Sequence, residues 1–146
     1  MSHRTSFAFI ILILLFIFIA VILIVNNSIT EQYLQNDPML WQLKEIIKDV
    51  HPEAQHIKLY KGTKSYTLNK DKIFICLKDE NDEYYPINML IYVLLHELSH
   101  KINKDDIGHT EKFHTIFQGL IEKAHNMGIY NAYIPPIKNY CSHTQE

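Results

Sequence analysis

The sequence predicts an α+β domain, a small sheet packed with helices, carried behind an N-terminal transmembrane helix. Three observations lead there. An unbroken apolar run fills residues 7–25. Short β-branched and aromatic runs cluster between residues 57 and 77. Apolar residues recur at helical spacing in three stretches, beginning near residues 38, 87 and 110.

Residues 1–6 are a short flank containing Arg4, and residues 7–25 are nineteen residues of Phe, Ile, Leu, Val and Ala alone. At 1.5 Å per residue such a helix spans about 28 Å, close to the hydrocarbon thickness of a bilayer. The alternative is a cleaved signal peptide, whose apolar region is usually shorter and ends at a small-x-small site. This run ends Ile24-Val25-Asn26-Asn27, so it reads as an uncleaved single-pass anchor. Arg4 precedes it, while Glu31 and Asp37 come before the first lysine, Lys44. By the positive-inside rule the globular part is expected on the non-cytoplasmic side. Residues 26–36 read as a polar tether and residues 37–146 as the domain.

Asp37-Pro38 has the form of a helix N-cap followed by proline in the first turn. Met39, Leu40, Leu43, Ile46, Ile47 and Val50 then make one apolar stripe, so residues 38–50 are expected to be an amphipathic helix. Its polar face balances Lys44 and Lys48 against Glu45 and Asp49. A helix lying on a membrane favours a basic face, so this stripe belongs in a core. Residues 57–60 and 65–68 flank Gly62-Thr63-Lys64 and look like a hairpin, with residues 73–77 as a third strand after Asn69-Lys70-Asp71. The acidic run Asp79, Glu80, Asp82, Glu83 reads as solvated surface. It lacks the spacing of an EF-hand loop.

Residues 87–102 contain no glycine or proline, and Pro86 suits a helix start. Ile87, Ile91, Leu94, Leu98 and Ile102 form the apolar stripe. A polar loop with Gly108 follows, and Thr110 can cap a second helix whose stripe is Phe113, Ile116, Phe117, Leu120, Ile121 and Ala124, ending at Gly128. The remainder, with Ile134-Pro135-Pro136-Ile137, is expected to be extended across the domain surface.

All sixteen acidic residues and thirteen of the fourteen basic ones follow residue 25, leaving the soluble part near −3. That balance excludes the basic face of a nucleic-acid binder, and no direct nucleic-acid binding is expected. Cys76 and Cys141 are too few and too far apart for a disulfide framework or a paired-cysteine metal knuckle, so Cys76 reads as a small buried strand residue.

The chemistry concentrates in His96-Glu97-Leu98-Ser99-His100. Residues four apart lie about 40° from each other around a helix, so His96 and His100 share a face opposite the apolar stripe, with Glu97 beside it. Two imidazoles so placed can hold one Zn²⁺, and the neighbouring carboxylate can take a proton from water activated there. The bland reading, two ordinary helix histidines, is weakened by the apolar stripe on the opposite face. A catalytic zinc usually has three protein ligands and one open position. His109, His114, Asp105, Asp106 and Glu111 are within reach in sequence, and His109 is best placed, on a loop that can turn back over the helix. His114 could instead stand behind the ligands or support a developing oxyanion. His51, His56, His125 and His143 have no partner spacing and read as surface residues.

Ile75-Cys76-Leu77, the helix bearing Leu94-Leu95-His96-Glu97-Leu98-Ser99-His100, and Gly108-His109-Thr110-Glu111-Lys112-Phe113 together resemble WLM-type metallopeptidases, relatives of the SprT-like proteases. The resemblance covers residues 70–125, and the tail from 128 to 141 is similar to WLM-like proteins of large DNA viruses. It implies a zincin-like fold with residues 73–77 at the edge of the substrate cleft. It also implies His109 as third ligand and Phe113 packed beneath it; Glu111 and Phe113, like His114, are candidates to stand behind the ligands or support the transition state. Two departures stand out: Lys101 follows the second histidine where zincins usually carry an uncharged residue, and Glu111 and Lys112 are in effect exchanged. The expected function is a membrane-anchored, Zn²⁺-dependent metallopeptidase acting on a protein or peptide through Glu97 as general base. The alternatives are a catalytically silent, zinc-stabilised protein-binding domain at a membrane and a metal-free membrane protein.

Overall fold

The computed structural model describes residues 3–142, with side chains from residue 7 onward. The chain forms two compact units, Met1–Leu34 and Gln35–Glu146. The first is carried by a single helix, α1 (His3–Gln35), which runs one residue past it and is long and apolar enough to cross a membrane. Its large apolar side chains between residues 7 and 25 are all exposed, as a lipid-facing helix requires. The helix runs on through Asn26, Asn27 and Ser28, where the sequence suggests a tether. Extending a nucleated helix adds one hydrogen bond per residue fixed, so polar residues continue it at little cost.

In the second unit, Asp37 Oδ1 accepts the Met39 N–H at 2.9 Å and so caps α2 (Pro38–Ile47). Leu40, Leu43 and Ile47 are buried. The helix ends there, short of residue 50. A turn of 3₁₀ helix, Pro52–His56, leads into the sheet.

The sheet consists of β1 (Lys58–Lys61), β2 (Tyr66–Leu68) and β3 (Lys72–Ile75) in the order β1-β3-β2. This corrects two expectations. The stretch around Gly62 does not make a hairpin of β1 and β2, because β3 lies between them, parallel to β1 and antiparallel to β2. The Gly62 N–H donates to the Ile75 carbonyl at 2.9 Å, and a Cβ there would meet the Lys64 carbonyl oxygen at 2.8 Å. Gly62 is thus a close approach of two chain segments, not the tip of a hairpin. The hairpin is β2–β3, turning through Asn69, Lys70 and Asp71; the Asp71 N–H donates to the Leu68 carbonyl at 3.1 Å, and Asn69 (φ 51°) and Lys70 (φ 54°) are both left-handed, as the central residues of a type I′ turn must be. Consequently the 73–77 segment is not an edge. β3 is central, and the free edges belong to β1 and β2.

α3 (Ile87–Ile102) packs against the sheet at β2 and β3. Leu90, Ile91, Leu94, Leu95 and Leu98 are fully buried, whereas Ile87 at its first turn is exposed. Each of these side chains contributes about 1.5–3 kcal/mol by leaving water. Lys101 is also buried, and its ammonium lies 3.6 Å from Asp71 and 3.9 Å from Glu53. Its charge is therefore accommodated in place of the uncharged residue expected there. α4 (Glu111–Asn126) packs on α3 through Phe113, Leu120 and Ala124; Thr110 Oγ1 caps it by accepting the Phe113 N–H at 3.3 Å, and Gly128 (φ 74°) ends it.

The tail then returns across the domain. Asn131 and Asn88 exchange hydrogen bonds of 2.7 and 3.2 Å, and Cys141 is joined to Cys76 by a disulfide with Cα atoms 6.4 Å apart. The cysteines are therefore paired, against the reading of Cys76 as a plain buried residue. Their separation of 65 positions is no obstacle, because loop-closure entropy grows only logarithmically with length.

Candidate metal centre

α3 and the loop ahead of α4 bring three imidazoles together. Helical spacing puts His96 and His100 on the outer face of α3, away from its buried stripe. Gly108 (φ 85°) turns the chain immediately before His109, and that ring folds back over the helix. His109 Nε2 lies 3.0 Å from His96 Nε2 and 3.2 Å from His100 Nε2, and the potential ligand atoms of all three fall within 4.8 Å of one another. Tetrahedral nitrogens at the usual Zn–N length of about 2.0–2.1 Å stand about 3.3 Å apart. The donor set and its spacing fit such an ion. Among the described residues no other group of three ligand-bearing side chains converges in this way.

Phe113 is the floor. It is fully buried, and its ring centroid lies 4.9, 4.4 and 4.8 Å from those of His96, His100 and His109. Burial pushes His96 down to about 4, with the neighbouring His100, His109 and His114 charges adding to the effect. His100 is lowered for the same first reason, then by His109 and Lys70. Both rings are thus held neutral, the form that ligates.

Glu97 is buried beside the histidines, and burial raises its carboxyl above the ordinary range. The Thr67 hydroxyl opposes that shift: it lies 2.7 Å from Oε2 and 3.0 Å from the Glu97 carbonyl oxygen, and its one proton can serve either. Thr67 lies on β2, so the edge strand touches the carboxylate. Lys70, in the β2–β3 turn, donates to the Asn103 carbonyl and, at 2.7 Å, to that of Asp106. Those carbonyls belong to the loop that ends in His109, so a left-handed lysine ties that loop to the sheet. Neither Thr67 nor Lys70 carried a signal in the sequence beyond the turn residues around Lys70.

The other sequence candidates stand outside the cluster. His114 is exposed, 6.4 Å from His109 between ring centroids, and Glu111 is an exposed first-turn residue. Asp105 pairs with Lys112 at 2.5 Å, and Asp106 accepts the Thr110 hydroxyl at 3.1 Å. The exchanged order of Glu111 and Lys112 therefore gives Lys112 a loop partner. His51 caps the 3₁₀ turn by accepting the Glu53 N–H, and His125 Nδ1 sits 3.2 Å from the Tyr130 carbonyl oxygen; His143 lies outside the described residues. A cleft of about 420 Å³ opens over the histidines, walled by Ser65, Tyr66, Thr67 and Lys70 on one side and residues 106–109 on the other.

Comparison with known proteins finds viral relatives. The chain is 47% identical over 88 residues to an uncharacterised protein of Invertebrate iridescent virus 6, covering 58% of this chain and 49% of the relative. It is 44% identical over 88 residues to one of Invertebrate iridescent virus 3, covering 60% and 55%. To a protein of Acanthamoeba polyphaga mimivirus it is 32% identical over 111 residues, covering 70% and 56%. The chain thus spans about half the length of the curated relatives it matches. No family model matches, and no solved structure matches.

Proposed function

We propose that this chain is a membrane-anchored zinc metallopeptidase of the WLM type, with a zincin-like domain. One observation carries the reading: the Nε2 atoms of His96 and His100 lie 3.0 and 3.2 Å from His109 Nε2, with the buried Glu97 carboxylate at the helical position next to His96. His96, His100 and His109 would hold the ion. When bound, Zn²⁺ supplies a Lewis acid for the scissile carbonyl and makes water acidic enough to attack at neutral pH. Glu97 takes the proton of the attacking water and delivers it to the leaving amine; its raised pKa suits a group that must do both. Thr67 holds that carboxylate in position. The peptide would add as a strand along the edge of β2, next to Glu97, where main-chain hydrogen bonds give affinity with loose sequence preference.

Two features support a domain on the side away from the cytoplasm. Arg4 precedes the anchor. The Cys76–Cys141 disulfide is of a kind that persists in oxidising compartments.

The test is metal analysis and general protease assay of full-length wild type and Glu97→Gln in detergent. Zinc should load both, and cleavage should fall by several orders of magnitude in the variant, which loses a proton acceptor and no ligand. Zinc without cleavage in wild type would favour the silent protein-binding domain. Wild type without zinc would sink both.

A further inference from the structure

The histidine cleft is one arm of a longer depression. A second cavity of about 340 Å³ shares Ser65, His96 and Glu97 with it and continues to Lys64, Val93, Tyr140 and Cys141. The two arms follow α3: His100 lines the first, Val93 the second, and His96 with Glu97 stand where they join. The outer wall of the second arm is the C-terminal tail.

That wall is fastened in two ways. The Tyr140 hydroxyl donates to the Cys76 carbonyl at 2.5 Å and accepts from Ser65 Oγ at 2.8 Å, while Ser65 Oγ accepts the Cys76 N–H at 2.9 Å. Burial raises Tyr140 far above the ordinary phenol range, so it stays a neutral donor. Beside it the cystine links the tail to the end of β3, and the Cys141 N–H donates to Tyr85 Oη at 3.0 Å. Cys141 itself has φ 52°, a left-handed conformation that a non-glycine residue keeps only where surrounding structure holds it.

We propose that the Cys76–Cys141 disulfide builds the wall of a substrate subsite, so that the oxidised protein has a two-armed cleft and the reduced protein a one-armed cleft. Tyr140 and Lys64 are its specificity-determining residues. The inference rests on the peptidase reading. The occupant is one medium-sized side chain of the substrate peptide, next to the scissile bond. The Tyr140 ring and Val93 contact its stem, and Lys64 at the mouth favours acidic over basic ends. A dithiol reductant would open the wall. One thiolate attacks Cys141 Sγ and the S–S bond breaks with Cys76 leaving as thiolate. The second thiol then displaces Cys141, so two electrons pass to the cystine and the dithiol becomes a disulfide. The two protons of the dithiol end on Cys76 and Cys141.

The experiment compares full-length oxidised wild type with the double variant Cys76→Ser/Cys141→Ser, which removes the bond without adding a thiol that could strip metal. Zinc content is measured on both, and cleavage sites in a peptide library are mapped by mass spectrometry. The expected result is equal zinc, a preference at one flanking position in wild type, and its loss in the variant. KM for the preferred peptide should rise about tenfold with kcat changing much less, as when ground-state contacts are removed. Tyr140→Ala, with the cystine intact, should alter preference at the same position, and decides the matter if the double variant does not fold. Identical profiles and KM in oxidised wild type and Tyr140→Ala would overturn the subsite. Zinc-loaded wild type that cleaves nothing would instead overturn the peptidase reading and the subsite with it.

Discussion

Acid should destabilise the metal-free protein through His96. Its pKa in the folded state is about 4 against an ordinary 6.5, so between these values the unfolded chain binds a proton that the folded chain refuses. Stability therefore falls as pH drops through that window, and the loss is complete below about pH 4. A fully expressed shift of that size is about 3.4 kcal/mol at 1.36 kcal/mol per unit. The ring is only half-buried and solvent screens its neighbours, so about 2 kcal/mol is expected. Glu97 works the other way. Its raised pKa contributes stability that is present below the ordinary carboxyl value and lost as pH rises through the folded one. The measurement is urea unfolding of zinc-stripped protein in detergent at pH 6.5 and pH 4, followed by near-ultraviolet circular dichroism of the buried Tyr60 and Tyr130. At a urea slope of about 1–3 kcal/mol per molar, 2 kcal/mol moves the midpoint by about 1 M. His96→Leu, which cannot charge, should remove most of the acid effect, and Glu97→Gln should enlarge it. If wild type and His96→Leu respond alike, the ring is not held neutral by burial and the electrostatic account of the cluster is wrong.

Three further outcomes are expected. Purified His109→Ala should lack tight zinc while His114→Ala keeps it, since removing a ligand costs far more than the 10–100-fold typical of a group behind one; stoichiometric zinc in the first with an empty second would reverse the assignment. Lys70→Met should weaken zinc binding by about tenfold and speed amide exchange across residues 103–109, because its ammonium ties two carbonyls of that loop; unchanged exchange would show that the loop holds its shape without it. Full-length protein should resist carbonate extraction from membranes and residues 35–146 should be released as a folded, zinc-binding domain, which fails if that fragment is insoluble.

What the sequence determined by itself is what short-range geometry encodes. Nineteen apolar residues make a membrane-length helix wherever they stand. The α3 boundaries, the Asp37 and Thr110 caps and the shared face of His96 and His100 depend on residues at most four positions apart, so they were legible. His109 was legible as a candidate because only eight residues separate it from His100. Tertiary structure alone decided the rest. Gly62 looked like a hairpin tip because local pattern cannot see the Ile75 carbonyl that its N–H reaches. The central place of β3 depends on pairing with strands on both sides, a non-local choice that moves the free edge from residues 73–77 to β2. Thr67 meets Glu97 across 30 positions, Lys70 meets Asn103 across 33, and Cys76 meets Cys141 across 65. Such contacts exist only once the sheet, α3 and the tail have packed, since burial of the shared core is what brings distant segments within hydrogen-bonding reach.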